Sequence, residues 1–118
     1  MIKAIIVDDE PYCCEALDAL LNRYCPQVKV VGSYTSTVKA LNGIETLQPA
    51  LLFLDIEMPV MNGFEMLEKV LHANLSLVFV TAYNQFAFKA FRFNALDFLV
   101  KPIDTKELID AVAKTEKR

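Results

Sequence analysis

Four short apolar runs in this chain each stop at residues able to do chemistry. They are Ala4-Ile5-Ile6-Val7, followed by Asp8 and Asp9; Leu51-Leu52-Phe53-Leu54, followed by Asp55; Leu77-Val78-Phe79-Val80, followed by Thr81; and Leu96 to Val100, followed by Lys101. Largely apolar stretches of this length are what strands need when both of their faces are covered. Such strands form a parallel sheet, and ligands of an open parallel sheet bind in the crevice beyond the strands' carboxyl ends. Three carboxylates, a hydroxyl and an ammonium are therefore expected at one edge. Gathered carboxylates repel one another unless a cation sits among them, and an all-oxygen donor set without Cys or His suits Mg²⁺. Thr81 and Lys101 beside that cation could receive a phosphoryl group.

Turn signals divide the chain into strand–helix units of about 25 residues. Pro11 suits the first turn of a helix, where its missing N–H costs nothing. Cys13, Leu17, Leu20 and Tyr24 then keep one helical face, and Pro26 stops it. A short strand from Val28 to Val31 is expected to end at Gly32. Val38, Leu41 and Ile44 keep helical spacing, although Gly43 lowers such a helix by roughly 1 kcal/mol relative to Ala. After Asp55, the breaker-rich loop Met58-Pro59-Val60-Met61-Asn62-Gly63 leads to a third helix with Phe64, Leu67, Val70 and Leu71 on one face. Asn84 is placed to cap a fourth helix running to about Phe93. Asp104 and Glu107 are spaced as an N-cap and its N3 partner, and Leu108, Ile109 and Val112 mark the inner face of the last helix.

Alternating strands and helices predict a parallel sheet with helices on both faces and right-handed crossovers. Acidic residues after strands one and three fit the flavodoxin-like α/β fold: a doubly wound five-stranded sheet in the order 2-1-3-4-5, with five helices and its switch point between those two strands.

The 118 residues suit one domain with a real core. A content of 54% apolar and 23% charged residues is globular rather than disordered. With a net charge of −3 and no Lys/Arg stripe, the domain is not expected to grip nucleic acid by phosphate contacts of its own. No apolar segment approaches the ~20 residues of a membrane span, and no cationic region precedes an apolar run as in a signal peptide. A cytoplasmic protein without membrane contact is expected. Cys13, Cys14 and Cys25 are odd in number and lack C-x-x-C spacing, which argues against a disulfide framework or zinc site. They are expected as reduced thiols packed like small hydrophobes. His72, near a helix end, reads as a surface residue.

Each edge residue alone has an ordinary explanation, as a strand-end charge, a turn hydroxyl or a surface cation. Their joint placement does not. An ionised Asp is already nucleophilic toward phosphorus and needs no general base. Phosphoryl transfer requires positioning and charge neutralisation more than covalent machinery.

Asp8-Asp9, Leu54-Asp55 with Met58-Pro59 and Gly63, Thr81-Ala82, and Lys101-Pro102 together resemble the receiver domain of bacterial two-component response regulators, over essentially the whole chain. The resemblance implies a signalling switch rather than an enzyme acting on other substrates. Asp55 would be the phosphoacceptor, fed by a phosphohistidine on a sensor histidine kinase. Asp9 and Asp55 would ligate Mg²⁺ directly with the backbone carbonyl of Glu57, and Asp8 would act mainly through a bound water. Lys101 would pair with the phosphoryl group, and its bond to Pro102 would be cis.

The segments Thr81 to Ala87 and Ala90 to Pro102 are similar to receivers of the LytTR class, in which the receiver precedes a mostly β DNA-binding domain. Residues 1–118 are accordingly expected to be a receiver whose natural chain continues into an output domain, with DNA contacted only through it. The open, charged end Lys114-Thr115-Glu116-Lys117-Arg118 agrees with continuation. By the same resemblance, Phe98 holds the place of an aromatic switch residue that moves with Thr81. Half of the chain's aromatic residues lie between Tyr83 and Phe98. These rings could fill core or form a partner face on the fourth helix and fifth strand, since one helix cannot bury Phe86, Phe88, Phe91 and Phe93 together. A homodimer on phosphorylation is expected through the face of the fourth helix, fifth strand and fifth helix. A haloacid-dehalogenase-type phosphatase would instead carry D-x-D after its first strand, together with a cap insertion. A flavodoxin-like cofactor binder would need Gly, Ser and Thr where Asp8-Asp9-Glu10-Pro11 would repel phosphate.

Overall fold

A computed structural model describes residues 1–70 and 74–117. Strands β1 (Ile2–Val7), β2 (Val28–Tyr34), β3 (Leu51–Leu54), β4 (Ser76–Thr81) and β5 (Asp97–Val100) alternate with helices α1 (Pro11–Tyr24), α2 (Thr37–Leu47), α3 (Gly63–Leu67), α4 (Ala87–Ala90) and α5 (Thr105–Glu116). All strand pairs are parallel and the order is β2-β1-β3-β4-β5. This is the doubly wound arrangement expected from the positions of the acidic residues.

The central runs at residues 4–7, 51–54 and 77–80 are unbroken because successive side chains enter two different cores, whereas the edge strands β2 and β5 carry Lys29 and Asp97. Ala4, Ile6, Phe53, Val78, Val80 and Leu99 pack on α1 and α5. Ile5, Val7, Leu52, Leu54, Leu77 and Phe79 pack on the opposite face, against α2, α3 and α4. The period-2 alternation of a strand supplies both layers at once. The carboxyl ends of β1, β3, β4 and β5 thus lie along one edge.

Several boundaries differ from the expectation. β2 continues through Gly32 to Tyr34, and its pairing with β1 shifts between Ala4 and Ile5, so Gly32 opposes Ile5. In α1 the buried stripe is Cys14, Leu17 and Leu21, rotated from the expected one; Leu20 is half-buried and Tyr24 exposed. On that stripe the Cys14 thiol donates to the Asp8 carbonyl at 3.4 Å. In α5 the inner residues are Leu108, Ala111 and Val112, while Ile109 is exposed. The Asp104 side chain accepts from the Glu107 N–H, as its spacing implied.

α3 opens with a reciprocal capping box that the run of breakers hid. Asn62 Oδ1 accepts from the Glu65 N–H at 2.9 Å, and Glu65 Oε1 accepts from the Asn62 N–H at 3.0 Å. The expected fourth helix is a single α-turn between 3-10 turns at Asn84–Phe86 and Phe91–Phe93, and the Asn84 side chain makes no cap. Leu71, His72 and Arg118 lie outside the described residues.

Candidate functional site

Each edge residue is delivered by the end of its strand. The Asp8 N–H donates to the Tyr34 carbonyl at 3.0 Å, and the Asp55 N–H to the Val7 carbonyl at 2.9 Å, extending the ladder one residue past each strand. The Lys101 N–H donates to the Thr81 carbonyl at 2.8 Å, which locks the tip of β5 to that of β4. The Lys101–Pro102 bond is cis. Asp8, Asp55 and Thr81 are buried, Asp9 and Lys101 are half-buried, and Glu57 is exposed two residues beyond Asp55.

The Lys101 ammonium lies 2.6 Å from Asp8 Oδ2 and 3.1 Å from Asp55 Oδ2. The remaining oxygens are held by backbone donors: the Glu10 N–H on Asp8 Oδ1 at 3.0 Å, and the Ile56 N–H on Asp55 Oδ1 at 2.7 Å. Burial pushes the Asp8 carboxyl above its usual range; Lys101 and the Glu10 amide pull it back without cancelling that effect. Burial also pulls the Lys101 ammonium down, but its hydrogen bonds to Asp8 and Asp55, with their charges, more than reverse this, so it stays protonated.

Asp8, Asp9 and Asp55 place one carboxylate oxygen each within 4.8 Å of one another. Asp8 and Asp55 share the Lys101 ammonium and Asp9 adds a third carboxyl beside them, so the cluster keeps an excess of negative charge. Its donors are all oxygen. Both features fit a hard divalent cation and could hold one.

The loop after β3 is shaped around this point. The Gly63 N–H donates to the Ile56 carbonyl at 2.9 Å, and a Cβ at Gly63 would lie 2.6 Å from the Asp55 carbonyl oxygen. No other residue fits there without moving the backbone that carries Asp55. The Thr37 hydroxyl donates to the Met61 carbonyl at 2.8 Å, tying α2 to the same loop. Val60 holds φ 71°, a left-handed conformation that is costly for a β-branched residue.

Thr81 is fully buried, and its Oγ1 accepts from the Tyr83 N–H at 3.4 Å. The Phe98 ring is half-buried and tilted against Phe79, with centroids 6.1 Å apart. Of the rings in question, Phe86 and Phe93 turn inward onto Phe64, whereas Phe88 and Phe91 are 80% and 76% exposed. An open groove of about 440 Å³ runs from Asp8 and Lys101 between α1 and Pro102-Ile103.

The main-chain donors from Glu10 and Ile56 and the tight seat of Gly63 were not read from the sequence. The run Met58-Pro59 to Gly63 marks only that a sharp loop follows Asp55.

A doubly wound parallel sheet with an acidic, lysine-bridged cluster at its switch point defines a class of α/β domains whose chemistry sits at the sheet's carboxyl edge. The chain belongs to the response regulator receiver domain family, whose model matches residues 4–113. It is 40% identical over 115 residues to an uncharacterized response regulatory protein of Vibrio cholerae, covering 97% of this chain and 48% of that one. It is 39% identical over 118 residues to the sensory transduction protein LytT of Enterococcus faecalis, covering 98% and 48%. The response regulatory domain of the protein mrkE from Klebsiella pneumoniae superposes with a TM-score of 0.88 at 29% identity, covering 98% of this chain and 96% of that one. The chain spans about half the length of the curated relatives it matches. No helix among the described residues is long and apolar enough to cross a membrane.

Proposed function

We propose that this domain is a phosphorylation-dependent switch of the cytoplasm that takes a phosphoryl group onto Asp55 from a phosphohistidine of a sensor kinase. The observation that carries this reading is the buried Asp55 carboxylate, shared with Asp8 by one ammonium and set beside Asp9. An Asp55 oxygen attacks phosphorus as the N–P bond breaks, forming an acyl phosphate and releasing the imidazole. Lys101 passes to a phosphoryl oxygen, and the Thr81 hydroxyl leaves the Tyr83 amide to donate to another. Mg²⁺, held by Asp9 and Asp55 with the Glu57 carbonyl and with Asp8 through water, would neutralise charge on the transferring oxygens. The chain catalyses only its own phosphorylation and dephosphorylation.

Thr81 moving inward opens space for Phe98, and this couples the site to the surface of α4, β5 and α5. Phe88 and Phe91, with half-exposed Tyr83 and the less exposed Val100 and Ile109, are apolar groups available for a second copy to cover. Homodimerisation there would bring two output domains onto adjacent half-sites of DNA, and the likeness to LytT supports an output of LytTR type. Sedimentation with beryllofluoride should show dimers at micromolar concentrations; a persistent monomer, or a dimer through α1, would contradict this interface. For the switch itself, incubation with Mg²⁺ and acetyl phosphate followed by intact mass measurement should give one slowly lost phosphoryl adduct. Rapid turnover of varied phosphate esters would instead make the domain a phosphatase.

A further inference from the structure

α4 does not set its own position. It is one turn long, Ala90 is its one buried residue, and both ends pass into 3-10 turns, whose hydrogen bonds are poorer. A helix this short has no stability of its own. What holds it is the ring of Phe64, which is 3% exposed. Phe86 in the preceding turn meets that ring at 6.1 Å, and Phe93 in the following turn stacks on it at 5.1 Å and 22°. The Lys89 ammonium of α4 lies 4.6 Å from its centroid, and Phe79 of β4 supports it at 5.3 Å.

The same residue is bound closely to the Asp55 backbone. Gly63, its chain neighbour, is hydrogen-bonded to Ile56, and so little space separates it from the Asp55 carbonyl that a Cβ there would lie 2.6 Å from that oxygen. A movement of the segment Asp55-Ile56 is therefore passed through Gly63 to the ring that carries α4. A second line reaches the same cluster: Thr81 Oγ1 holds the Tyr83 amide, and the Tyr83 ring meets Phe86 edge-on at 6.2 Å.

We propose that Phe64 is a positioning residue that transmits the state of the Asp55 loop to α4, in parallel with Thr81 and Phe98. This rests on Asp55 being the phosphoacceptor. Because rings prefer defined offsets and tilts, a rotated Phe64 offers Phe86 and Phe93 a different seat rather than a continuous slide. A leucine fills part of the space but defines no such seat.

The test is hydrogen–deuterium exchange over residues 84–93 in the intact chain, with and without beryllofluoride, while fluorine NMR counts the adduct. In the native chain the adduct should form and change exchange across that segment. In Phe64→Leu the adduct should form to the same extent. Exchange of 84–93 without the mimic should rise about tenfold, the factor to which roughly 1.4 kcal/mol of lost ring contacts corresponds, and the further response should fall below a third of native. Phe93→Leu, at a half-buried position, should give the same loss of response and serves if Phe64→Leu does not fold. A native-sized response in the folded variants overturns the coupling alone. Failure of the native chain to form the adduct overturns the phosphoacceptor reading and this inference with it.

Discussion

Lys101 is the cation that two buried carboxylates share, and its contribution can be measured apart from any phosphoryl chemistry. Breaking a buried ion pair by removing one partner leaves uncompensated charge and costs several kcal/mol. Here the loss would strand Asp8 and Asp55, with Asp9 beside them. Lys101→Met should therefore lower stability by about 3 kcal/mol in urea titrations at neutral pH, and Asp55→Asn in the same chain should restore part of it. No loss in Lys101→Met would mean that the ammonium is not neutralising the cluster. Asp9 tests the complementary side. A divalent ion binding only the folded state raises the melting temperature, so Mg²⁺ should stabilise the native chain and Asp9→Ala should lose most of that gain. An undiminished response in Asp9→Ala would place the ion elsewhere.

At the scale of elements, the central strands β1, β3 and β4 were legible because both of their faces are buried, which leaves an unbroken apolar signature. The same logic places Asp8, Asp9, Asp55, Thr81 and Lys101 at one edge. Long-range packing was not legible. Gly43 reads in sequence as a weak point of α2, yet it is buried with the Tyr34 ring over it, the same ring that lies beside Gly32. A Cβ at Gly43 would overlap that ring. Gly43→Ala should thus destabilise the native chain despite alanine's better helix propensity. In a Tyr34→Ala background the same change should stabilise by up to about 1 kcal/mol. Denaturation of the four proteins checks this sign reversal, and equal effects in both backgrounds would contradict it. α4 was overread for a related reason: Phe86 and Phe93 are spent on Phe64, a residue of another element, and that contact, not helical periodicity, shapes the segment. The capping box of Asn62 and Glu65 was spelled in the sequence but masked by the breakers before it.

At the scale of the whole molecule, the two cores divide the labour. The face carrying α1 and α5 closes over β1, β3 and β5 beneath the groove that leads to Asp8 and Lys101. The face carrying α2, α3 and α4 receives the loop after Asp55 and the rings that follow Thr81. Chemistry at the shared edge can therefore reach an outer surface without disturbing the sheet between them. All of this depends on one carboxylate taking the phosphoryl group. The most direct measurement is to phosphorylate the chain with acetyl phosphate and Mg²⁺, reduce the acyl phosphate with borohydride, and locate the resulting homoserine by peptide sequencing. Homoserine should appear at Asp55 alone, and Asp55→Asn should incorporate no phosphoryl group while remaining folded. Homoserine at Asp8 or Asp9, or undiminished incorporation in Asp55→Asn, would contradict the assignment.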